Sequence, residues 1–185
     1  MMILPILKFP DERLRTKASE VKMVNNEIKT MVKNMFETMY ASDGIGLAAT
    51  QIDQHLRVMV MDVPDSGEDY QLLLKNRENK HNKPLAKKHP LCFINPTITQ
   101  KDGKEMHTEG CLSVPGYYAE VERFNHIVIE ALDQNGKAFT LEARNLLAVC
   151  IQHELDHLQG ILFVDYLSKF KQKRLLEKVK KTDKR

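Results

Sequence analysis

Two histidines four residues apart, His153 and His157, are the clearest chemical pattern in this sequence, and Glu154 directly follows the first. If the segment is helical, both imidazoles lie on one face and can direct a nitrogen at the same point. Glu154 then lies about 100° around the helix, beside a metal bound there, where a carboxylate can take a proton from water. This H-E-x-x-H spacing predicts a catalytic metal site; the alternative is a solvated or core-capping helix with incidental histidines.

A catalytic metal site of this kind needs a third protein ligand and one open position for water. Phe163 occupies the place, six residues after His157, where one group of proteases has a third histidine. Glu177 lies twenty residues after His157, as in another group, but its lysine-rich surroundings favour a charged helix face. Cys111 lies in EGCLSVPG, whose glycines and proline predict a loop shaped by backbone geometry. Cys111 is therefore the candidate third ligand.

The other two cysteines favour a structural role. The chain has three cysteines in all and no C-x-x-C pair, which argues against a disulfide framework and for reduced thiols. Cys92 lies in the apolar run PLCFINP, which is typical of a buried strand. Cys150 shares a helix face with His153, but its apolar neighbours favour the core or the lining of a pocket.

The stretch GIGLAATQ, from Gly44 to Gln51, contains closely spaced glycines and small residues that let a backbone or a ligand approach the chain. It lacks the spacing of a dinucleotide-binding or phosphate-binding loop, and a tight turn is the simpler interpretation when the stretch is taken alone. The side-chain amide of Gln51 is able to hydrogen-bond a substrate oxygen.

The three segments GIGLAATQ, EGCLSVPG and QHELDHLQG, in this order, resemble the three motifs of the peptide deformylase family. The resemblance runs through nearly the whole chain. It implies hydrolysis of the formyl group from the initiator N-formylmethionine of nascent polypeptides, with release of formate. It also implies one divalent metal ion, Fe2+ in the cell, with Zn2+, Ni2+ or Co2+ in purified protein, whereas the ligand types alone suggest zinc.

The resemblance further implies roles for single residues. The metal ligands of the family match three positions: Cys111, His153 and His157. The catalytic carboxylate matches Glu154. The donors to the oxyanion match the side-chain amide of Gln51 and the backbone N–H of Leu112, and two neutral donors beside a metal suit the charge that develops on a formyl oxygen.

Substrate binding is expected on both sides of this centre. Ile45 and Gly46 resemble the family's strip that pairs with the substrate backbone as an added β-strand would. Leu146, Val149 and Cys150 precede His153 by seven, four and three residues and so continue its helix face as an apolar stripe. With Ile45, these side chains predict a pocket for an unbranched apolar side chain such as methionine.

The pattern of elements predicts an α+β fold. Strands are expected at residues 56–63, 91–98 and 126–133, and Asn135-Gly136 predicts a turn into a further strand. Helices are expected near residues 25–42, 144–158 and 168–181. Because strands and helices do not alternate regularly, we predict mostly antiparallel sheet around a central metal-bearing helix, with a C-terminal helix. A chain of 185 residues with 42% hydrophobic residues is able to form one such domain.

Within this domain, residues 1–168 are predicted to form the catalytic part and residues 169–185 a basic helical tail. The tail holds nine lysines and arginines against Glu177 and Asp183, whereas the whole chain carries a net charge of only +3. Its apolar side chains recur at helical spacing: Phe170, Leu175, Leu176 and Val179. The tail is either a solvated helix or, as the resemblance implies, a contact to ribosomal RNA near the exit of new chains.

The remaining features bear on location. The N-terminal apolar run is short and broken by Pro5, unlike a signal peptide, and no run has the length of a membrane span. We therefore expect a cytoplasmic enzyme without a membrane contact, and a monomer. Residues 64–90 are polar and basic and predict an exposed loop of unknown use.

Overall fold

The computed structural model describes residues 2–63 and 90–182, with side chains as far as residue 179, and these residues form one antiparallel sheet of five strands and three α-helices. The strands, in sheet order, are β1 (Gly46–Ala48), β2 (Val58–Met61), β3 (Leu91–Cys111), β4 (Val114–Leu132) and β5 (Ala138–Arg144). The helices are α1 (Asn26–Ala41), α2 (Asn145–Leu158) and α3 (Lys169–Thr182). The predicted α+β fold is confirmed. The loop predicted for residues 64–90 lies, apart from Pro90, outside the described residues.

Strands β3 and β4 form a long hairpin that the sequence did not predict in full. Their ladder runs from Ile94, opposite Leu132, to Cys111, opposite Val114, and only Leu112 and Ser113 remain for the turn. The sequence predicted a loop around Cys111, but Cys111 is the last residue of β3. Residues 99–106 of β3 are exposed and mostly polar, so backbone hydrogen bonds to β4 sustain this part of the ladder.

Helices cover both faces of the sheet at strand β2. Alternate residues of β2 point to opposite sides: Val58 and Val60 belong to the hydrophobic cluster of α1, whereas Met59 and Met61 pack in the cluster that contains Ile151 of α2. This placement explains why β2 is apolar at every position. It also fixes α2 against the centre of the sheet, where its histidines face the end of the long hairpin.

Helix α2 ends where the sequence predicted, at a glycine with left-handed backbone geometry. Gly160 has φ +74°, and the N–H of Ile161 donates to the carbonyl of Asp156 over 2.9 Å. The backbone of Arg15 lies so close to Gly160 that a Cβ there would collide with the Arg15 carbonyl. Both the turn and the close approach therefore require glycine.

Helix α3 packs on the domain through part of its apolar side. Leu175 is buried in a cluster with Phe163 and Val121, and Val179 packs against the same cluster. Phe170 remains 75% exposed, so it does not take part in this docking. Among the helices of the described residues, none is long and apolar enough to cross a membrane.

Candidate metal centre and active site

Three potential metal ligands from two distant parts of the chain meet at the end of the β3–β4 hairpin. Cys111 comes from β3, and His153 and His157 come from α2; their donor atoms all lie within 4.8 Å of one another. Cys111 Sγ is 3.2 Å from His157 Nε2, and the two imidazole rings are 5.0 Å apart. One sulfur and two imidazole nitrogens suit Zn2+ or Fe2+, and three protein ligands leave a coordination position open. This donor set therefore fits a catalytic metal ion.

Glu109 orients one of these histidines and was missed by the sequence analysis. Its Oε2 lies 2.7 Å from His153 Nδ1, which leaves Nε2 of that ring for a metal. Burial alone would raise the pKa of Glu109, but hydrogen bonds from His153 and Arg123 outweigh burial and lower this pKa to about 2. Glu109 precedes Cys111 by two residues, so recognition of a strand here would have placed both side chains on one face.

Arg123 of β4 is the buried counter-ion of this carboxylate. Its Nε donates to Glu109 Oε1 over 2.5 Å, and its Nη2 donates to Glu109 Oε2 over 3.1 Å. Its Nη1 donates to Asp156 of α2 over 2.7 Å. The guanidinium thus ties β3, β4 and α2 together behind His153, in the fork geometry that arginine offers to carboxylates. No local pattern in the sequence marks Arg123.

The side chain of His157 is buried beside the ring of His153. Burial lowers the pKa of its imidazole well below the usual range. This direction favours the neutral form of the His157 ring, which is the form that coordinates a metal. Its main-chain carbonyl accepts a hydrogen bond from Thr50 Oγ1 over 3.1 Å, which fixes this turn of α2 against the GIGLAATQ segment.

Glu154 lies beside the three potential ligands and is buried. The side chain is 4% exposed, and its Oε2 is buried without a hydrogen-bond partner among the described residues. Burial raises the pKa of this carboxyl to about 7. A Cβ on Gly46 would lie 2.5 Å from Glu154 Oε1 and 2.8 Å from Cys150 Sγ. Glycine at position 46 therefore makes room for the carboxylate.

Gln51 and Leu112 border the same centre. Gln51 is 1% exposed; its Oε1 accepts from the Ala48 N–H over 2.8 Å and its Nε2 donates to Ser113 Oγ over 3.1 Å. The same Nε2 lies 3.6 Å from Cys111 Sγ, so the amide is adjacent to the sulfur of this potential ligand. Leu112 is in the hairpin turn, which the Nζ of Lys8 supports by donating to the Leu112 carbonyl over 2.6 Å.

A cavity of about 360 Å³ opens onto this centre. All the residues predicted to contact substrate line it: Ile45, Gly46, Leu146, Val149 and Cys150. Gly46 belongs to β1, an edge strand of the sheet, and an edge strand is where an extended peptide can add. The cavity wall also includes His107, Tyr117 and Tyr118, to which the sequence analysis gave no role.

The alternative third ligands do not reach this centre. Glu177 is exposed on α3, and the group of potential ligand atoms around the two histidines contains Cys111 and no Glu177. Phe163 is buried and its ring packs 6.0 Å from the ring of His153. Among the described residues, this group holds three side chains and no fourth, which argues against a closed structural metal site.

Comparison with known proteins agrees with this geometry. The sequence profile described as polypeptide deformylase matches residues 3–173. The chain is 49% identical over 184 residues to a peptide deformylase of Neisseria gonorrhoeae, covering 100% of this chain and 98% of that protein. It is 51% identical over 185 residues to a peptide deformylase of Cellvibrio japonicus, with the same coverage. The crystal structure of peptide deformylase from Ehrlichia chaffeensis in complex with actinonin superposes with a TM-score of 0.86 at 41% identity, over 100% of both chains.

Proposed function

The chain belongs to the polypeptide deformylase family, and from this premise we propose how its residues perform the metal-dependent removal of the N-formyl group from nascent polypeptides. In this hydrolysis a water oxygen bonds to the formyl carbon, the bond from that carbon to nitrogen breaks, and formate and a free amine are released. The observation that carries the proposal is the convergence of Cys111, His153 and His157 beside the unpartnered carboxylate oxygen of Glu154.

Cys111, His153 and His157 are the proposed metal ligands. A divalent ion held there would supply Lewis acidity, which activates water and polarises the formyl oxygen. Glu109 keeps the His153 ring in one orientation, and Arg123 keeps Glu109 in place. We propose Fe2+ as the ion in the cell. The mixed sulfur and nitrogen donors suit Fe2+, and they suit Zn2+ as well.

Glu154 is the proposed general base and acid. It takes a proton from the attacking water and returns a proton to the amine nitrogen as the carbon–nitrogen bond breaks. Its buried position without a partner at Oε2 supports this role, because no described group competes for that oxygen. Gln51 and the backbone N–H of Leu112 are proposed to donate to the formyl oxygen as it gains negative charge.

The cavity wall sets the proposed specificity. Leu146, Val149, Cys150 and Ile45 offer an apolar slot, and methionine suits such a slot because it is long, unbranched and flexible. The backbone of the substrate is proposed to extend β1 at Ile45 and Gly46. Peptides that begin with formyl-Met should accordingly have a kcat/KM more than about ten times that of formyl-Gly peptides. A ratio of about ten is what a single methylene group in an apolar pocket gives.

The wider setting follows from the substrate. Because nascent formylated chains emerge at the ribosome, we propose a cytoplasmic enzyme that meets the ribosome through the basic helix α3, which has seven lysines and arginines and one glutamate. Residues 1–168 would form the catalytic part and residues 169–185 an integral tail of the same domain. We propose a monomer, since one chain supplies every residue assigned to the site.

The test is formate release from formyl-Met-Ala-Ser by protein purified without oxygen and loaded with Fe2+ or Zn2+. Glu154→Gln should retain the metal and the fold but lose at least about a hundredfold in turnover, the usual contribution of general acid–base catalysis. Turnover close to that of the unmodified protein in metal-replete Glu154→Gln would remove Glu154 from the mechanism. Equal rates on formyl-Met and formyl-Gly peptides would disprove the pocket.

A further inference from the structure

A second groove, which we call the α3 groove, adjoins the substrate cavity. Thr108, Tyr117 and Tyr118 line both spaces, and α3 forms the far wall of the groove. The α3 groove has a volume of about 950 Å³, larger than the cavity itself. A chain that leaves the cavity past these three side chains therefore reaches the α3 groove.

The size of the cavity requires such an exit. Its volume of about 360 Å³ is at the lower end of the range for pockets that enclose one small ligand. The substrate is a polypeptide, so only its first few residues fit inside and the following residues must continue outside. Resting on the proposed function, we infer that the α3 groove receives these following residues and favours acidic side chains among them.

The charge of α3 supports the preference for acidic side chains. Lys171, Arg174 and Lys178 line the groove at positions i, i+3 and i+7, which share one face of a helix. Lys171 and Arg174 are exposed, and neither makes an ion pair with another described residue. Glu120 and Glu177 also line the groove, so three basic side chains stand against two carboxylates and the lining carries a net charge of +1.

Two features make the groove a persistent surface. Leu175 lies on the same helix face at position i+4, is 4% exposed and anchors α3 in the core. The basic side chains of this face, Lys171, Arg174 and Lys178, are therefore held at a fixed distance from the hairpin. Tyr117 packs 6.2 Å from the ring of Phe163, whereas Tyr118 is 47% exposed at the junction. A fixed and an exposed aromatic ring offer apolar contact to a peptide backbone of any sequence.

The test compares two formylated hexapeptides that share Met-Ala-Ser and continue with three glutamates or three lysines. The unmodified, metal-loaded protein should prefer the glutamate peptide by about three- to tenfold in kcat/KM at low salt, because two or three exposed ion pairs are worth that much together. This preference should shrink at about 0.5 M salt, where exposed charges are screened. Lys171→Glu combined with Arg174→Glu should abolish or invert the preference.

The matched control is Lys169→Glu combined with Lys173→Glu, which changes the charge of α3 equally at two exposed residues outside the groove. The readout is the ratio of the kcat/KM values for the two peptides, so a general loss of activity in a variant does not change it. Retention of the preference in the control and its loss in the groove variant would support the inference. Equal losses in both variants would overturn it, as a general charge effect.

The tripeptide formyl-Met-Ala-Ser separates this inference from the proposed function. If the unmodified protein deformylates the tripeptide but does not distinguish the two hexapeptides, the α3 groove has no role and the deformylase assignment stands. If the metal-loaded protein does not deformylate the tripeptide, the proposed function itself fails.

Discussion

Gly46 lies directly against Glu154, so closely that a Cβ on residue 46 would come within 2.5 Å of Glu154 Oε1. Real Cβ atoms do not come that close to an oxygen, so Gly46→Ala must displace the carboxylate. A displacement of about 1 Å can reduce turnover about a hundredfold, and we expect a loss of this order in kcat for formyl-Met-Ala-Ser. The metal content should not change, because Glu154 is not among the three proposed ligands.

Gly44→Ala is the matched control for this substitution. A Cβ there would meet Leu112 Cδ1 at 2.8 Å, and this contact is with the end of a flexible side chain that can move away. Gly44→Ala should therefore reduce kcat much less than Gly46→Ala. Equal kcat values for Gly46→Ala and the unmodified protein would show that the position of Glu154 does not limit turnover.

A second prediction separates the two cysteines of the cavity. Cys111 lies 3.2 Å from His157 Nε2, whereas Cys150 lines the cavity wall and its Sγ contacts the carbonyl of Ile45 over 3.8 Å. Cys111→Ala should therefore abolish both bound metal and deformylation, and Cys150→Ala should retain the metal. The measurement is metal per chain together with formate release. Stoichiometric metal in Cys111→Ala would refute the ligand assignment.

A third prediction concerns Glu109, which joins His153 to Arg123. Glu109→Gln leaves the buried guanidinium of Arg123 with less compensation, and removal of one partner from a buried ion pair costs about 3 to 5 kcal/mol. It also loosens His153, which should weaken metal affinity by about ten- to a hundredfold. Urea unfolding of the metal-free protein and competitive metal titration measure the two effects separately.

Glu122→Gln is the control for Glu109, because Glu122 pairs with Lys104 on the exposed part of the same hairpin. Exposed ion pairs contribute about 0 to 1 kcal/mol, so this substitution should change little. If Glu109→Gln binds metal with unchanged affinity, Glu109 does not orient His153 for coordination.

A fourth prediction concerns the proposed contact of α3 with ribosomal RNA. Truncation before Lys169 would remove Leu175, which is 4% exposed, and so would expose the core as well as remove charge. Lys169→Glu combined with Lys173→Glu is cleaner, since both side chains are exposed. Co-sedimentation with ribosomes should weaken, and the slope of its salt dependence should fall by about one for each phosphate group that α3 no longer binds. Lys169→Arg with Lys173→Arg should bind normally.

Equal co-sedimentation of the reversed and unmodified proteins at low and moderate salt would mean that this face of α3 serves only solubility. Formate release from formyl-Met-Ala-Ser should be the same in both proteins, because neither residue lines the cavity.

Local spacing in the sequence was sufficient to predict the relative positions of candidate site residues that belong to one helix or strand. His153 and His157 are one helical turn apart, so a local sequence pattern placed them on one face and put Glu154 beside them. Gly160 and Asn135-Gly136 likewise marked a helix end and a hairpin turn, and both occur as predicted, with positive φ at each glycine. Such predictions succeed because backbone periodicity and steric limits act over only a few residues.

The tertiary structure alone decided how distant segments meet. Cys111 reaches His157 through the register of the β3–β4 hairpin, and the sequence predicted only residues 91–98 and 126–133 of this hairpin as strands. Arg123 joins Glu109 to Asp156 because that register places it behind His153, and the α3 groove exists because Leu175 docks α3 near Tyr117 and Tyr118. These interactions depend on strand pairing and core packing between residues far apart in the chain, whereas periodicity reports only which face of its own element a residue occupies.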